Sequence, residues 1–122
     1  MENQRILVVD DDPSVLDTYR KLLRRCGYIA MTAENGTEVL RDLEKFRSAG
    51  LVILDYKMPV MDGLTLLVEM RKMKFLPKVI LISAYLTDEI IRRAEVLGVA
   101  KIFHKPVDVV KLKQSIKEAL EA

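Results

Sequence analysis

Residues 6–13 read Ile-Leu-Val-Val-Asp-Asp-Asp-Pro. Four apolar residues in succession suit a short strand with both faces covered, which is how strands of a parallel sheet read. The chain then turns acidic at once. Asp12 followed by Pro13 is a helix start, a capping carboxylate and then proline at the first helical position. Strand, acidic loop and helix are thus written in eight residues. The same order recurs along the chain. Leu51–Leu54 (LVIL) and Val79–Ile82 (VILI) are again apolar at every position. Two weaker runs, Tyr28–Thr32 and Ile102–His104, bring the strands to five, the last with Lys101 and His104 at its ends.

The stretches between the strands have helical periodicity. Val15, Leu16, Tyr19, Leu22, Leu23 and Cys26 form one stripe, which places Cys26 as a small buried apolar residue, and Gly27 ends that helix. Asn35 with Glu38 three residues on is a cap that opens a second helix. A third runs from Gly63 to about Met73, stopped before Pro77. Thr87–Leu97 is a fourth, with Ile90, Ile91, Ala94 and Leu97 as its stripe. Val109, Leu112, Ile116 and Leu120 line the last.

Five strand–helix units predict an α/β fold of doubly wound, flavodoxin-like (βα)5 type. Its five-stranded parallel sheet has the common order 2-1-3-4-5. The chain has 122 residues, one domain's worth, with no linker, repeat or low-complexity tract to divide it, so 1–122 is read as one domain. Half the residues are apolar, which excludes disorder. Cys26 is the sole cysteine, which excludes a disulfide framework and fits a reducing compartment. No apolar run approaches the ~18 residues of a membrane span. The N-terminal stretch MENQRILVVD leads into a strand without the pattern of a signal peptide, so a cytoplasmic location is expected. Twenty basic and 18 acidic residues leave a net charge of +2, too little to argue for nucleic acid. Arg20, Lys21, Arg24 and Arg25 read as a solvated helix face.

In such a sheet the ligand site lies beyond the carboxyl ends of the strands, where the strand order reverses. Asp10, Asp11 and Asp12 follow strand one, Asp55 strand three, Ser83 and Ala84 strand four, and Lys105-Pro106 strand five. Asp12 serves as a helix cap. Asp10, Asp11 and Asp55 would converge, and like charges that close repel unless cations sit among them. Lys105 supplies one positive charge. A hard divalent cation with oxygen ligands, of the Mg²⁺ kind, would supply the rest, and that pattern suggests phosphoryl chemistry.

Four stretches, VVDD at 8–11, LDYKMPVMDG at 54–63, ISA at 82–84 and KP at 105–106, appear in order and at matching spacing. With them the chain resembles, over its whole length, a receiver domain of a two-component response regulator. The resemblance implies that Asp55 accepts a phosphoryl group from a histidine on a sensor kinase. It implies that Asp11, Asp55 and the backbone carbonyl of Lys57 hold Mg²⁺, with Asp10 assisting from behind and orienting Lys105. Ser83 and Lys105 would bind phosphoryl oxygens, Ala84 would leave room for the donor, and the Lys105–Pro106 bond would be cis. Slow self-catalysed dephosphorylation is implied, and no enzymatic turnover of a separate substrate. The partners implied are a sensor histidine kinase and a histidine phosphotransfer protein or effector, with neither nucleic acid nor membrane bound directly.

This chain departs from the family at two positions, one of them mild: Ser83 stands where threonine is commoner and keeps the hydroxyl. Most receivers carry Tyr or Phe three residues before the lysine, and here that residue is Ile102, which offers no ring or hydroxyl to report the phosphorylated state. Lys57, two after Asp55, and Tyr85, two after Ser83, pair as in the single-domain regulator of the sporulation phosphorelay, and both would obstruct an attacking water. Ser14, Val15, Thr18, Pro106 and Val107 surround the pocket edge and are expected to meet the kinase, although Val15 suits the core equally well. Three other readings compete. A receiver cut from a longer DNA-binding regulator has the same sequence. A phosphatase of the haloacid-dehalogenase type wants an acid where Lys57 stands. A flavodoxin-like cofactor binder wants a glycine- or hydroxyl-rich loop where Asp10–Asp12 stand.

Overall fold

The computed structural model describes residues 4–121. Residues 1–3, the head of the stretch read as leading into the first strand, lie outside the described residues, as does residue 122. The strands are β1 (Arg5–Val9), β2 (Ile29–Ala33), β3 (Leu51–Asp55), β4 (Lys78–Ser83) and β5 (Lys101–His104). They pair in parallel in the order β2-β1-β3-β4-β5, as the alternating pattern predicts. The fold is the five-stranded flavodoxin-like α/β type. The helices are α1 (Pro13–Arg25), α2 (Gly36–Arg41), α3 (Leu43–Phe46), α4 (Gly63–Lys72), α5 (Asp88–Val96) and α6 (Val109–Glu121).

The unbroken apolar runs are explained by two cores, one on each face of the sheet. Leu7, Val9, Val52, Leu54, Val79 and Leu81 point to one side, where Val39, Leu43, Phe46, Leu64, Leu67, Met70 and Ala94 of α2 to α5 cover them. The residues between them, Ile6, Val8, Leu51, Ile53, Ile80 and Ile82, point to the other side and meet Leu16, Tyr19 and Leu23 of α1 with Leu112 and Ile116 of α6. Side chains alternate across a strand, so consecutive apolar residues serve both cores. Each fully buried aliphatic side chain contributes about 1.5–3 kcal/mol by transfer from water. Together they hold the carboxyl edge of the sheet in a fixed register, Val9 opposite Leu54 and Asp55 opposite Ile82.

The structure departs from the sequence-based expectation in four places, one of them Val109, which the helical spacing places on the apolar stripe of the last helix but which is 47% exposed. The second helix is two, divided at Asp42, whose ψ of 32° leaves the helical range. Asp42 N–H still bonds Glu38 O at 3.0 Å, but its own carbonyl accepts from Lys45 in a tighter step. The break lets Leu43 and Phe46 turn into the core. β2 begins one residue late, because Tyr28 belongs to the turn after Gly27, whose φ is 87°, and its N–H bonds Leu23 O. Cys26 is exposed. It caps α1 from outside the last helical residue, so the stripe stops before reaching it.

Candidate functional site

Four strand ends bring the polar residues together. Asp55 and Ser83 are the last residues of β3 and β4, and Asp10 and Lys105 are the first residues after β1 and β5. One carboxylate oxygen from each of Asp10, Asp11 and Asp55 lies within 4.8 Å of the others. Asp10 and Asp55 are almost fully covered, at 4% and 7% exposure, whereas Asp11 faces solvent. Lys105 Nζ stands 3.4 Å from Asp10 Oδ2 and 3.5 Å from Asp55 Oδ2, bridging the two. Asp10 is steadied from behind, its Oδ1 accepting the Asp12 N–H at 2.9 Å. Asp12 itself turns away to cap α1, accepting from the Ser14 N–H and hydroxyl, bonds that lower its pKa.

The electrostatics of this cluster are unbalanced. Burial first, and the charge of Asp10 second, push the Asp55 carboxyl up to about 6, against the opposing pull of Lys105 and of the Lys57 backbone N–H. At Lys105 burial works against the ammonium, but the Asp10 and Asp55 carboxylates outweigh it and the pKa rises. One lysine leaves two of the three carboxylate charges uncompensated. The donors are all oxygen, and the site opens to solvent through Asp11. That set fits a hard cation with several waters, and it does not fit a thiolate- or imidazole-seeking metal.

Two loops border the carboxylates. Ser83 is fully buried, and its Oγ accepts the Tyr85 N–H at 3.0 Å, which keeps the hydroxyl hydrogen free to donate elsewhere. Ala84 is exposed and adds no bulk. Lys57 Nζ sits 4.1 Å above the centre of the Tyr85 ring, joining the loop after β3 to the loop after β4. The Lys105–Pro106 bond is cis, and Lys105 N–H bonds Ser83 O at 2.9 Å. Ser14, Thr18 and Pro106 are exposed at the rim. Val15 and Val107 are half-buried and give part of their surface to the core. Ile102 points to the opposite core from Phe103 and packs against it.

Three further residues matter here. A Cβ at Gly63 would fall 2.4 Å from the Asp55 carbonyl oxygen, so only glycine lets α4 start this close to the acid. A glycine directly after the capping Asp62 was the available signal. Tyr19 reads as one more residue of the α1 stripe, yet its phenol is pushed up to about 12, by burial first and then by the charges of Asp10 and Asp55. Val60 stands fully exposed in the loop before α4.

The family model of the response regulator receiver domain matches residues 6–117. The chain belongs to this family. The receiver is 32% identical over 120 residues to sporulation initiation phosphotransferase F of Bacillus subtilis, covering 98% of this chain and 96% of that one. It is 39% identical over 116 residues to the transcriptional regulatory protein GlrR of Escherichia coli, covering 95% of this chain but 26% of that protein. Among solved structures, a CheY-like receiver domain protein from Methanospirillum hungatei superposes with a TM-score of 0.87 at 31% identity, covering 98% of this receiver and 95% of that chain. The chain is thus a signalling domain of two-component systems, with an acidic cluster able to hold a metal ion. Among the described residues no helix is long and apolar enough to cross a membrane.

Proposed function

We propose that Asp55 is the phosphoacceptor, taking a phosphoryl group from a histidine of a sensor kinase and passing the signal through protein contacts or onward relay. The observation that supports this most is Lys105 bridging two buried carboxylates at the carboxyl edge of the sheet, one of them the last residue of β3. An Asp55 oxygen attacks phosphorus, an O–P bond forms as the N–P bond breaks, and the imidazole leaves. The Lys105 ammonium steadies the Asp55 carboxylate, and Gly63 lets its backbone lie against the start of α4. Lys105 is then free to turn from the carboxylate to a phosphoryl oxygen. The Ser83 hydroxyl donates to another while Tyr85 N–H still bonds its oxygen. Asp11, Asp55 and the Lys57 carbonyl would hold Mg²⁺, which neutralises charge on the phosphoryl oxygens. Asp10 keeps Lys105 oriented. The chain turns over no separate substrate in this reading. It works in the cytoplasm as the receiver unit 1–122.

The test is labelling by acetyl phosphate. Wild type is expected to incorporate one phosphoryl group in Mg²⁺ and none in chelator. Asp55→Asn abolishes incorporation, and Asp11→Ala weakens the Mg²⁺ requirement together with the rate. Full labelling of Asp55→Asn would reject the assignment.

A further inference from the structure

Charge is sorted between the two ends of the sheet. The turns that precede β2, β3, β4 and β5 contain no acidic residue. They carry Arg47 and Lys74, and Lys78 and Lys101 open the strands they lead into. The turns that follow the strands carry Asp10, Asp11, Asp12, Glu34, Asp62 and Asp108 against Lys57 and Lys105. The molecule therefore has a basic amino end and an acidic carboxyl end.

The basic end presents a rigid loop. The chain leaves α4 through Lys74, whose φ of 64° is the left-handed value that glycine normally supplies after a helix. The Lys74 N–H donates to Arg71 O and the Phe75 N–H to Met70 O, each at 3.0 Å, which closes the helix and imposes that angle. Phe75 is buried and Pro77 follows, so Lys74 and Leu76 face outward from a fixed backbone, Leu76 with 71% exposure. With Arg47 and Lys78 they border a groove of about 380 Å³. Glu44 answers Arg47, and Glu69 answers the neighbouring Lys72. Lys74 and Lys78 have no carboxylate partner among the described residues.

The acidic end carries the complement. A groove of about 880 Å³ runs there past Asp11, Glu34, Glu38, Pro59 and Val60. The arginines on its walls are already paired, Arg20 with Asp17 and Arg41 with Asp42, so its unbalanced charge is negative. Val60 is 99% exposed and left-handed at a φ of 70°, in a strained three-residue turn that the Met61 N–H closes on Pro59 O at 2.7 Å. Each groove thus sets one exposed apolar side chain among unbalanced charges of one sign, and the two signs are opposite.

We propose that the basic loop of one copy of this chain seats in the acidic groove of another. Leu76 packs on Val60 and Pro59, and Lys74 and Lys78 face Asp11, Glu34 and Glu38. A second copy is the favoured occupant because one chain carries both halves of the match, in charge and in apolar contact. The grooves lie at opposite ends, so the contact does not close on itself and copies add head to tail. The seated loop brings cations to an edge whose carboxylates exceed its lysines, and it lies across the mouth of their cluster. An occupied copy presents no open site, whether or not Asp55 takes a phosphoryl group. Salt screens exposed charges, so association belongs to concentrated protein at low ionic strength.

Sedimentation equilibrium of the full chain tests this, with two charge-reversed variants. One is Lys74→Glu with Lys78→Glu, and the other is Glu34→Lys with Val60→Lys. Wild type is expected to rise above monomer mass with concentration in about 20 mM salt and to return to it in about 0.5 M. Each variant alone should associate at least about tenfold more weakly. An equimolar mixture of the two should recover association, because each then meets an end of opposite charge. Lys74→Gly, which relieves the backbone and removes the charge, should melt higher than wild type yet associate more weakly. Wild type that stays monomeric to about 1 mM at low salt overturns the inference. So do variants that associate as wild type does, and a mixture of folded variants that stays monomeric. Monomeric wild type that sediments with phosphatidylserine vesicles gives the loop a lipid occupant and overturns it too.

Discussion

At the scale of single residues, close packing holds the carboxylates of the site together against their own repulsion, and that has a thermodynamic cost. Asp55 titrates near 6 in the folded chain against 3.8 for the free side chain. The folded state therefore binds the proton more readily than the unfolded state between those values. Metal-free protein loses stability as the pH rises from about 4 to 6, and the full penalty of roughly 2–3 kcal/mol is present at pH 7. In chelator, Asp55→Asn should melt above wild type at pH 7, and the gap should close near pH 4. Urea titrations of both proteins at the two pH values check this. A second residue-scale prediction concerns Lys57 and Tyr85, whose contact across the mouth of the site contributes about 0.5–1 kcal/mol for an exposed pair. Neither carries a carboxylate or amide to orient a water for attack on the phosphoryl group, so its decay should be slow. Lys57→Asn with Tyr85→Glu should shorten the lifetime several-fold, since each 1.4 kcal/mol of barrier is worth about tenfold in rate. Decay of the radiolabelled protein in excess Mg²⁺ measures it, with Mg²⁺ affinity little changed.

At the scale of elements, the start of α1 and the loop after β5 frame the site from one side. Thr18 is exposed there, and Val107 is half in the core. Thr18→Glu and Val107→Lys should slow transfer from the kinase while leaving acetyl-phosphate labelling intact. Val107→Lys should also lower the melting temperature, because part of its side chain leaves the core. Stopped-flow or quenched transfer assays separate the two donors. The elements themselves were legible because burial on both faces writes itself as unbroken apolar runs, and because Asp12, Asn35, Asp62 and Thr87 cap helices with their own side chains. What remained hidden depends on contacts made far along the chain. The break at Asp42 follows from where Leu43 and Phe46 find room in the core, which no local pattern expresses. Cys26 continues the helical spacing of its stripe, but the helix ends before it. The carboxylates, Ser83 and Lys105 were readable from their places after strands. The meeting of Lys57 with Tyr85 and the strained turn at Val60 were not, because each is set by the path of a loop, and the burial of Tyr19 beside Asp10 and Asp55 was not, because it depends on how α1 packs over the strand ends.

At the scale of the whole molecule, a cation bound among the carboxylates is linked to folding. Unfolded chain scatters Asp11 and Asp55, so Mg²⁺ held there as proposed would favour the native state and should raise its stability by about 1.4–2.7 kcal/mol at roughly 10–100 times the dissociation constant. Denaturant midpoints at several Mg²⁺ concentrations test this, and Asp11→Ala should flatten the dependence. The bridge from Lys105 to Asp10 joins residues 95 positions apart and draws on the first and last strands of the sheet. A chain still emerging from the ribosome has its acidic pair long before it has the lysine that balances it. On the proposed reading, competence to be labelled should therefore arrive late in synthesis, only after β5 and the lysine that follows it have been made. Chains ending before Lys105 should then be invisible to a kinase, and newly made protein should draw no signal until its final strand has joined the sheet.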